Sequence, residues 1–195
     1  MASGEDNPLR VAVIIGSTRA GRVCDTVGEW FAERAGRRAD LSIEVLDLAC
    51  YAFPGCYPQE ATPSMCRFAG SVGGADGFVV VTPEYNRSFP ASLKQAIDFA
   101  YDEWQAKPVG FVAYGSGSAG HYAVEQLRTV FGALHAVTMR DWVGLDLLGG
   151  SDGLDGRGRP RDTDDRLRAI TAMLDQLAWW GRTLRAGRRA QPYVS

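Results

Sequence analysis

Apolar and polar positions along this chain alternate between two periods. Continuous apolar runs at Leu9 to Ile15, Phe78 to Val81 and Pro108 to Tyr114 are short and read as strands covered on both faces. Leu41 to Leu48, with Ile43, Val45 and Leu46, predicts another strand, and Ala136 to Leu148 holds a last strand or two. Between these runs, apolar residues recur at helical spacing. The sets are Val23, Val27, Trp30 and Phe31; Leu93, Ala96, Ile97 and Ala100; Val124, Leu127 and Phe131; and Leu167, Ile170, Leu174 and Leu177. The second set predicts a helix from Pro90 to about Tyr101, with the proline in a first turn where a missing N–H costs nothing. Ser64 to Val72 is a shorter helix candidate. Tyr51 to Pro63, broken by Pro54, Pro58 and Pro63, is a loop, as is the Gly- and Asp-rich stretch from Gly149 to Asp165. Strand then helix, repeated roughly five times, predicts an α/β fold: a five-stranded parallel sheet with helices on both faces.

Length and charge narrow the functional classes. At 195 residues, with no internal repeat and no splitting linker, one domain spanning 1–195 is expected. A net charge of -2 gives no footing for nucleic acid or a membrane surface. No apolar stretch reaches the roughly 18 residues of a spanning helix. Residues 1–8 are polar and acidic, lack the form of a signal peptide, and predict a disordered leader on a cytoplasmic protein. Cys24, Cys50, Cys56 and Cys66 fit no CxxC or zinc spacing and read as free thiols, a redox role for Cys50 or Cys56 being the alternative. The basic stretch Arg182 to Arg189 reads as a solvated helix end. Trp104, Trp179 and Trp180 are expected in the core or in subunit contacts.

The chemistry gathers in the turns after three strands. The first, Gly16-Ser17-Thr18-Arg19-Ala20-Gly21-Arg22-Val23, offers backbone N–H groups, two hydroxyls and two arginines before a helix, which suits an anion. Its glycines begin like a nucleotide-hydrolase phosphate loop, but Arg22 and Val23 replace the lysine and hydroxyl that would follow. The third, Pro83-Glu84-Tyr85-Asn86, sets amide and hydroxyl groups beside an aromatic ring and suits a flat heteroaromatic ligand. The fourth, Gly115-Ser116-Gly117-Ser118-Ala119-Gly120, is a literal GxGxxG with Asp141 about 20 residues on, so a dinucleotide fingerprint is a rival reading. A tight turn without a ligand is the bland alternative for each. His121 starts a helix near the fourth turn, and His135 is placed at a strand edge. Neither histidine joins a catalytic triad, and no metal-ligand set is spaced along the chain. Asp152, Asp155, Asp162, Asp164 and Asp165 do not match a calcium loop and read as solvated.

With these residues in view, the chain resembles the NADPH-dependent FMN reductase family, the flavodoxin-like NAD(P)H:flavin and quinone reductases. The resemblance is carried by residues 16–22, 82–99, 107–115 and 123–128. It implies a flavodoxin-like fold, FMN as cofactor and NADPH or NADH as co-substrate, with no catalytic residue because the flavin N5 carries the hydride. It further implies that Ser17 and Arg19 bind the FMN phosphate with Thr18 and Arg22 nearby. Pro83, Glu84, Tyr85 and Asn86 would border the ribityl chain and ring, and Gly115, Ser116, Gly117 and Ser118 the pyrimidine side. Arg87 becomes a candidate for the NADPH 2′-phosphate. The acceptor is a small molecule: a quinone, flavin, azo or nitro compound, or metal ion. A homodimer or homotetramer is implied, with an apolar patch from Tyr101, Trp104 and Phe89–Pro90. The alternatives are an FMN enzyme dedicated to a biosynthetic step, or a flavodoxin-like carrier with little NADPH turnover. The fourth turn departs from the family in Ser116 and Ala119, and the Cys50–Glu60 loop lacks the family's acidic, leucine-rich form.

Overall fold

A computed structural model describes residues 7–147, 153–156 and 158–194. Among these residues, six strands, β1 (Leu9–Ile15), β2 (Leu41–Asp47), β3 (Gly77–Pro83), β4 (Pro108–Tyr114), β5 (Val137–Thr138) and β6 (Val143–Leu145), are interspersed with five α-helices. The helices are α1 (Cys24–Ala35), α2 (Pro63–Gly74), α3 (Ala91–Phe99), α4 (His121–Ala133) and α5 (Asp164–Ala190). All strand pairs are parallel, in the order β2-β1-β3-β4-β5 with β6 also on β4. This is the flavodoxin-like doubly wound order.

The apolar runs explain the layering. Side chains alternate across a strand, so Val11, Val13 and Ile15 pack with α1 and α5 on one face of the sheet. Ala12 and Ile14 pack with α2, α3 and α4 on the other. β3 is buried along its whole length, as a central parallel strand requires. Trp104 lies at the heart of the second layer, 4.6 Å from the Phe78 ring and 5.3 Å from Phe131, and its Nε1–H donates to the Ile97 carbonyl at 3.0 Å. It is therefore a core residue and supplies no surface patch, whereas Tyr101 is exposed.

Several expectations shift. The fifth sheet position is split: β5 pairs with Pro108 and Val109, and β6 with Val112 to Tyr114. Arg128 of α4 donates to the carbonyls of Met139 and Arg140, holding the break between them. The helix expected from Pro90 runs from Ala91 to Phe99, with Pro90 as its cap. The basic C-terminal stretch is not simply solvated, because Arg185 is buried against Asp76 and Arg188 and Arg182 reach Asp76 and Asp40. Arg185 also donates to the Asn7 and Pro8 carbonyls, so the last two residues of the expected leader are held. Residues 1–6 lie outside the described residues. In the acidic loop, Asp162 is exposed as expected, yet its carboxylate takes the indole N–H of Trp30 at 2.9 Å and the Arg34 guanidinium at 2.7 Å. Asp152 lies outside the described residues. Trp179 and Trp180 are exposed, not core.

Candidate functional site

The C-terminal ends of β1, β2, β3 and β4 put their turns on one edge of the sheet, where open α/β folds receive ligands. The first turn starts at Gly16, whose N–H donates to the Val81 carbonyl at 2.8 Å and whose carbonyl accepts from Ser92 Oγ at 3.1 Å. Ser17 is fully buried, and the Arg19 N–H points to its Oγ at 3.4 Å. Thr18, Arg19 and Ala20 are exposed. Among the described residues, the N–H groups of Thr18, Ala20 and Gly21 have no acceptor. Donors without acceptors, beside a cation and ahead of α1, form a cradle for an anion.

Arg22 does different work from Arg19. Its guanidinium donates to the Ser17 carbonyl at 2.7 Å and to both oxygens of Asp47, one at 2.8 Å. Burial alone would lower its pKa, but the Asp47 pair outweighs that and raises it. Arg22 thus braces the loop from beneath, and Arg19 is the cation left facing solvent. Asp47, which the sequence reading did not single out, also accepts the Ala49 N–H at 3.0 Å. Its only sequence signal is a carboxylate at the end of a strand. Behind the loop, burial pushes the Cys24 thiol up to about 11, so it is a packed thiol and not a nucleophile. Cys50, Cys56 and Cys66 are exposed free thiols.

The third turn is joined to the first and to the fourth. Ser17 Oγ and the Tyr85 hydroxyl lie 3.3 Å apart across 68 residues of sequence. Tyr85 and Ser88 exchange backbone hydrogen bonds of 2.8 and 2.9 Å around Asn86 and Arg87. Glu84 donates its N–H to the Tyr114 carbonyl at 2.7 Å and accepts the Tyr122 N–H at 3.0 Å. Gln126, also unremarked in the sequence, donates to the Arg87 carbonyl at 3.0 Å and accepts from Ser88 Oγ at 2.6 Å. An apolar groove of about 590 Å³ opens beside this turn between Phe89, Ala91, Thr129 and Val130.

The fourth turn is tied to β6 through Gly115 N–H and the Leu145 carbonyl at 3.2 Å. Ser116 and Gly117 are exposed, and their N–H groups have no acceptor among the described residues. Gly120 closes the turn with φ 91°, and a Cβ there would stand 2.5 Å from Ala113 Cβ and 2.7 Å from Tyr114 N. Gly120→Ala is therefore expected to destabilise the fold by about 3 kcal/mol through overpacking and a strained dihedral. Gly117→Ala, at φ 74° but in open space, should cost only about 1 kcal/mol. Urea denaturation of the two variants checks the contrast.

The dinucleotide fingerprint is not assembled. Asp141 lies between β5 and β6 and is engaged by the Gln176 amide of α5. His121 is exposed at the start of α4, with its ring 5.5 Å from Tyr122 and 6.2 Å from Trp142. His135 instead meets the Tyr193 hydroxyl, 2.7 Å from Nδ1. Among the described residues, no hydrogen bond or ring pair joins the Cys50–Glu60 loop to the three turns. It packs along α3, with Gln95 donating to the Pro54 carbonyl at 2.6 Å and Tyr57 5.9 Å from Phe99.

A family model described as NADPH-dependent FMN reductase matches residues 9–147. Similar proteins include an NAD(P)H-dependent FMN reductase of Schizosaccharomyces pombe, 38% identical over 64% of this chain and 66% of that protein. A quinone reductase of Pseudomonas putida is 32% identical over 90% of this chain and 96% of its own length. The chain thus spans a little under two thirds of the fission-yeast relative and nearly all of the bacterial one. Among solved structures, the flavoenzyme NAD(P)H:(acceptor) oxidoreductase FerB of Paracoccus denitrificans shares the fold. Its TM-score is 0.73 and its identity 22%, covering 90% of this chain and 98% of that one.

Proposed function

Because the chain belongs to the NADPH-dependent FMN reductase family, we propose that it binds FMN across the three joined turns and passes hydride from NADPH or NADH to a small acceptor. The observation that carries this reading is the Ser17–Tyr85 contact of 3.3 Å, which makes the anion cradle and the aromatic turn two halves of one site. The residues suit the cofactor: the cradle presents open N–H donors and the exposed Arg19 cation. Ser17, Thr18 and Arg19 hold the phosphate, and Arg22 keeps the loop in shape. Pro83, Glu84, Tyr85 and Asn86 flank the ribityl chain and ring, and the turn Gly115, Ser116, Gly117, Ser118 meets the pyrimidine edge.

Bound FMN supplies the hydride chemistry, which no side chain of the protein needs to perform. The chain's task is orientation and electrostatics. The third turn, clamped by Glu84 and Gln126, fixes the position of the ring site. The open N–H groups of Ser116 and Gly117 offer donors to negative charge on the pyrimidine edge. The acceptor is of the quinone, flavin, azo or nitro class, or a metal ion. We further read the protein as a cytoplasmic, single-domain homodimer or homotetramer, with the groove at Phe89 and Val130 as its contact. No helix among the described residues is long and apolar enough to cross a membrane.

The purified protein is expected to be yellow, absorbing at about 450 nm as flavins do. NADPH should bleach it under anaerobic conditions, and a quinone should restore the colour with steady turnover. A colourless protein that takes up no added FMN would overturn the reading, and colour without NADPH turnover would make it an electron carrier.

A further inference from the structure

A second cleft lies between α2 and the edge strand β2. It holds about 510 Å³, and none of its lining residues belongs to the three turns. Side chains alternate along a strand, so Arg10, Ser42 and Glu44 share the sheet face of Ala12 and Leu46, the face on which α2 packs. Arg10 stands beside Ser42 in the parallel register. α2 leaves this edge open because of the residues it presents there. Arg67, Gly70, Ser71 and Gly74 recur at the spacing of one helix face, and the two glycines bring no side chain. A Cβ at Gly70 would meet nothing within 4 Å. What would be core at this edge is therefore a groove with polar walls.

The charges follow one another along the groove. Arg10 marks one end, its Nη1 3.8 Å from where a Cβ of Gly74 would stand. Arg67 marks the other, about 10 Å along α2 from Gly74. Between them, Glu44 Oε1 accepts the Ser71 hydroxyl at 3.2 Å, which leaves Oε2 open. Among the described residues neither Arg67 nor Glu44 makes an ion pair, and the one hydrogen bond of the Arg67 guanidinium is to Ser64 Oγ at 3.4 Å. Arg10 is held loosely, 3.8 Å from Asp76 with its side chain 66% exposed. Tyr51 stands at the Arg67 end, its ring 5.3 Å from that of Phe68. Burial raises the pKa of its hydroxyl, which therefore stays a donor at neutral pH, with Ser71, Glu44 and Arg67 around it.

A cation, an anion and a second cation in a row complement a molecule with two carboxylates and an ammonium between them. Guanidinium groups take carboxylates through paired N–H donors, and the open oxygen of Glu44 accepts from an ammonium. A plain dicarboxylate would leave Glu44 uncompensated, and a phosphate would engage one end alone. We propose that this groove binds a small acidic α-amino acid, with its two carboxylates on Arg10 and Arg67 and its ammonium on Glu44. The site is separate from the proposed FMN site and does not depend on it.

The test is titration calorimetry of the intact protein with L-glutamate and L-aspartate. Glutarate and succinate, which lack the ammonium, and inorganic phosphate are the controls. At least one of the two amino acids is expected to bind saturably, with its matched dicarboxylate and phosphate about ten-fold weaker or more. Glu44→Gln should abolish the preference over the dicarboxylate. Arg67→Gln, at an exposed position, should weaken the amino acid about ten-fold, and Arg67→Lys less. Gly70→Leu puts a better helix former in the groove, so it should melt no lower than the wild type and bind no amino acid. Flavin uptake should be unchanged in all of these variants. Failure of both amino acids to bind overturns the proposal. Equal binding of the dicarboxylate or of phosphate by the wild type also overturns it, by reducing the groove to a basic patch. Binding that survives both Arg67→Gln and Gly70→Leu places the amino acid elsewhere and overturns it too.

Discussion

Arg19→Glu is expected to weaken FMN binding by about a thousand-fold, roughly 4 kcal/mol, while leaving the apoprotein as stable as the wild type. Losing a charge-assisted hydrogen bond to a phosphate costs about 1.5–3 kcal/mol. A carboxylate about 8 Å from the phosphate adds repulsion of about 2 kcal/mol at the effective dielectric of a protein surface. The apoprotein is spared because the Arg19 side chain is exposed and makes no ion pair among the described residues. Arg22→Ala should act in the opposite order. It strands Asp47 and the Ser17 carbonyl, so its first effect is on apoprotein stability, with FMN affinity falling because the loop has lost its brace. Flavin fluorescence titration with thermal melts of both apoproteins separates the two arginines. Equal FMN affinity in wild type and Arg19→Glu would remove the phosphate assignment.

That contrast shows where sequence reading succeeds and where it stops. Both arginines sit in one short loop whose composition suits an anion, and composition alone treats them alike. What divides them is Asp47, 25 residues away and brought in by the parallel pairing of β2 on β1. The central strands were legible because burial on both faces forces unbroken apolar runs, as in β3. The helices were legible from their apolar stripes, and the three turns at the C-terminal sheet edge because glycine, proline and hydroxyl residues have to stand where chain direction reverses. The rest depends on distant partners that periodicity does not encode. Trp104 reads equally as a core residue or as part of a contact patch, because nothing local reveals that Phe78 and Phe131 converge on it. The interruption of the last sheet position was invisible because its cause, Arg128, lies on the preceding helix.

The same limit explains the C-terminal arginines and leads to the largest stability effect expected in the chain. α5 is 27 residues long and returns along the sheet, so that its last turns reach the edge opposite the ligand turns. There Arg185, itself buried, meets the buried carboxylate of Asp76 at 3.3 Å, and Arg188 approaches it at 3.7 Å. Asp76 also accepts the Arg10 N–H at 3.1 Å. Burial, with the Arg188 charge nearby, lowers the pKa of Lys107 to about 8. Asp76→Ala removes the carboxylate around which these cations are arranged and leaves Arg185 uncompensated. A loss of about 3–5 kcal/mol is expected from breaking one side of a buried pair. Asp76→Asn should lose less, because its amide oxygen still accepts from Arg10. The double variant Asp76→Ala/Arg185→Met should recover part of the loss, since an apolar replacement removes both members of the buried pair together. FMN affinity measured below the new melting point should be unchanged throughout, because the ligand turns lie at the other end of the strands. Urea denaturation gives the cycle directly. A shift under about 1 kcal/mol for Asp76→Ala, the range of an exposed pair, would mean that α5 is held by its apolar stripe alone and that its arginines are solvated after all.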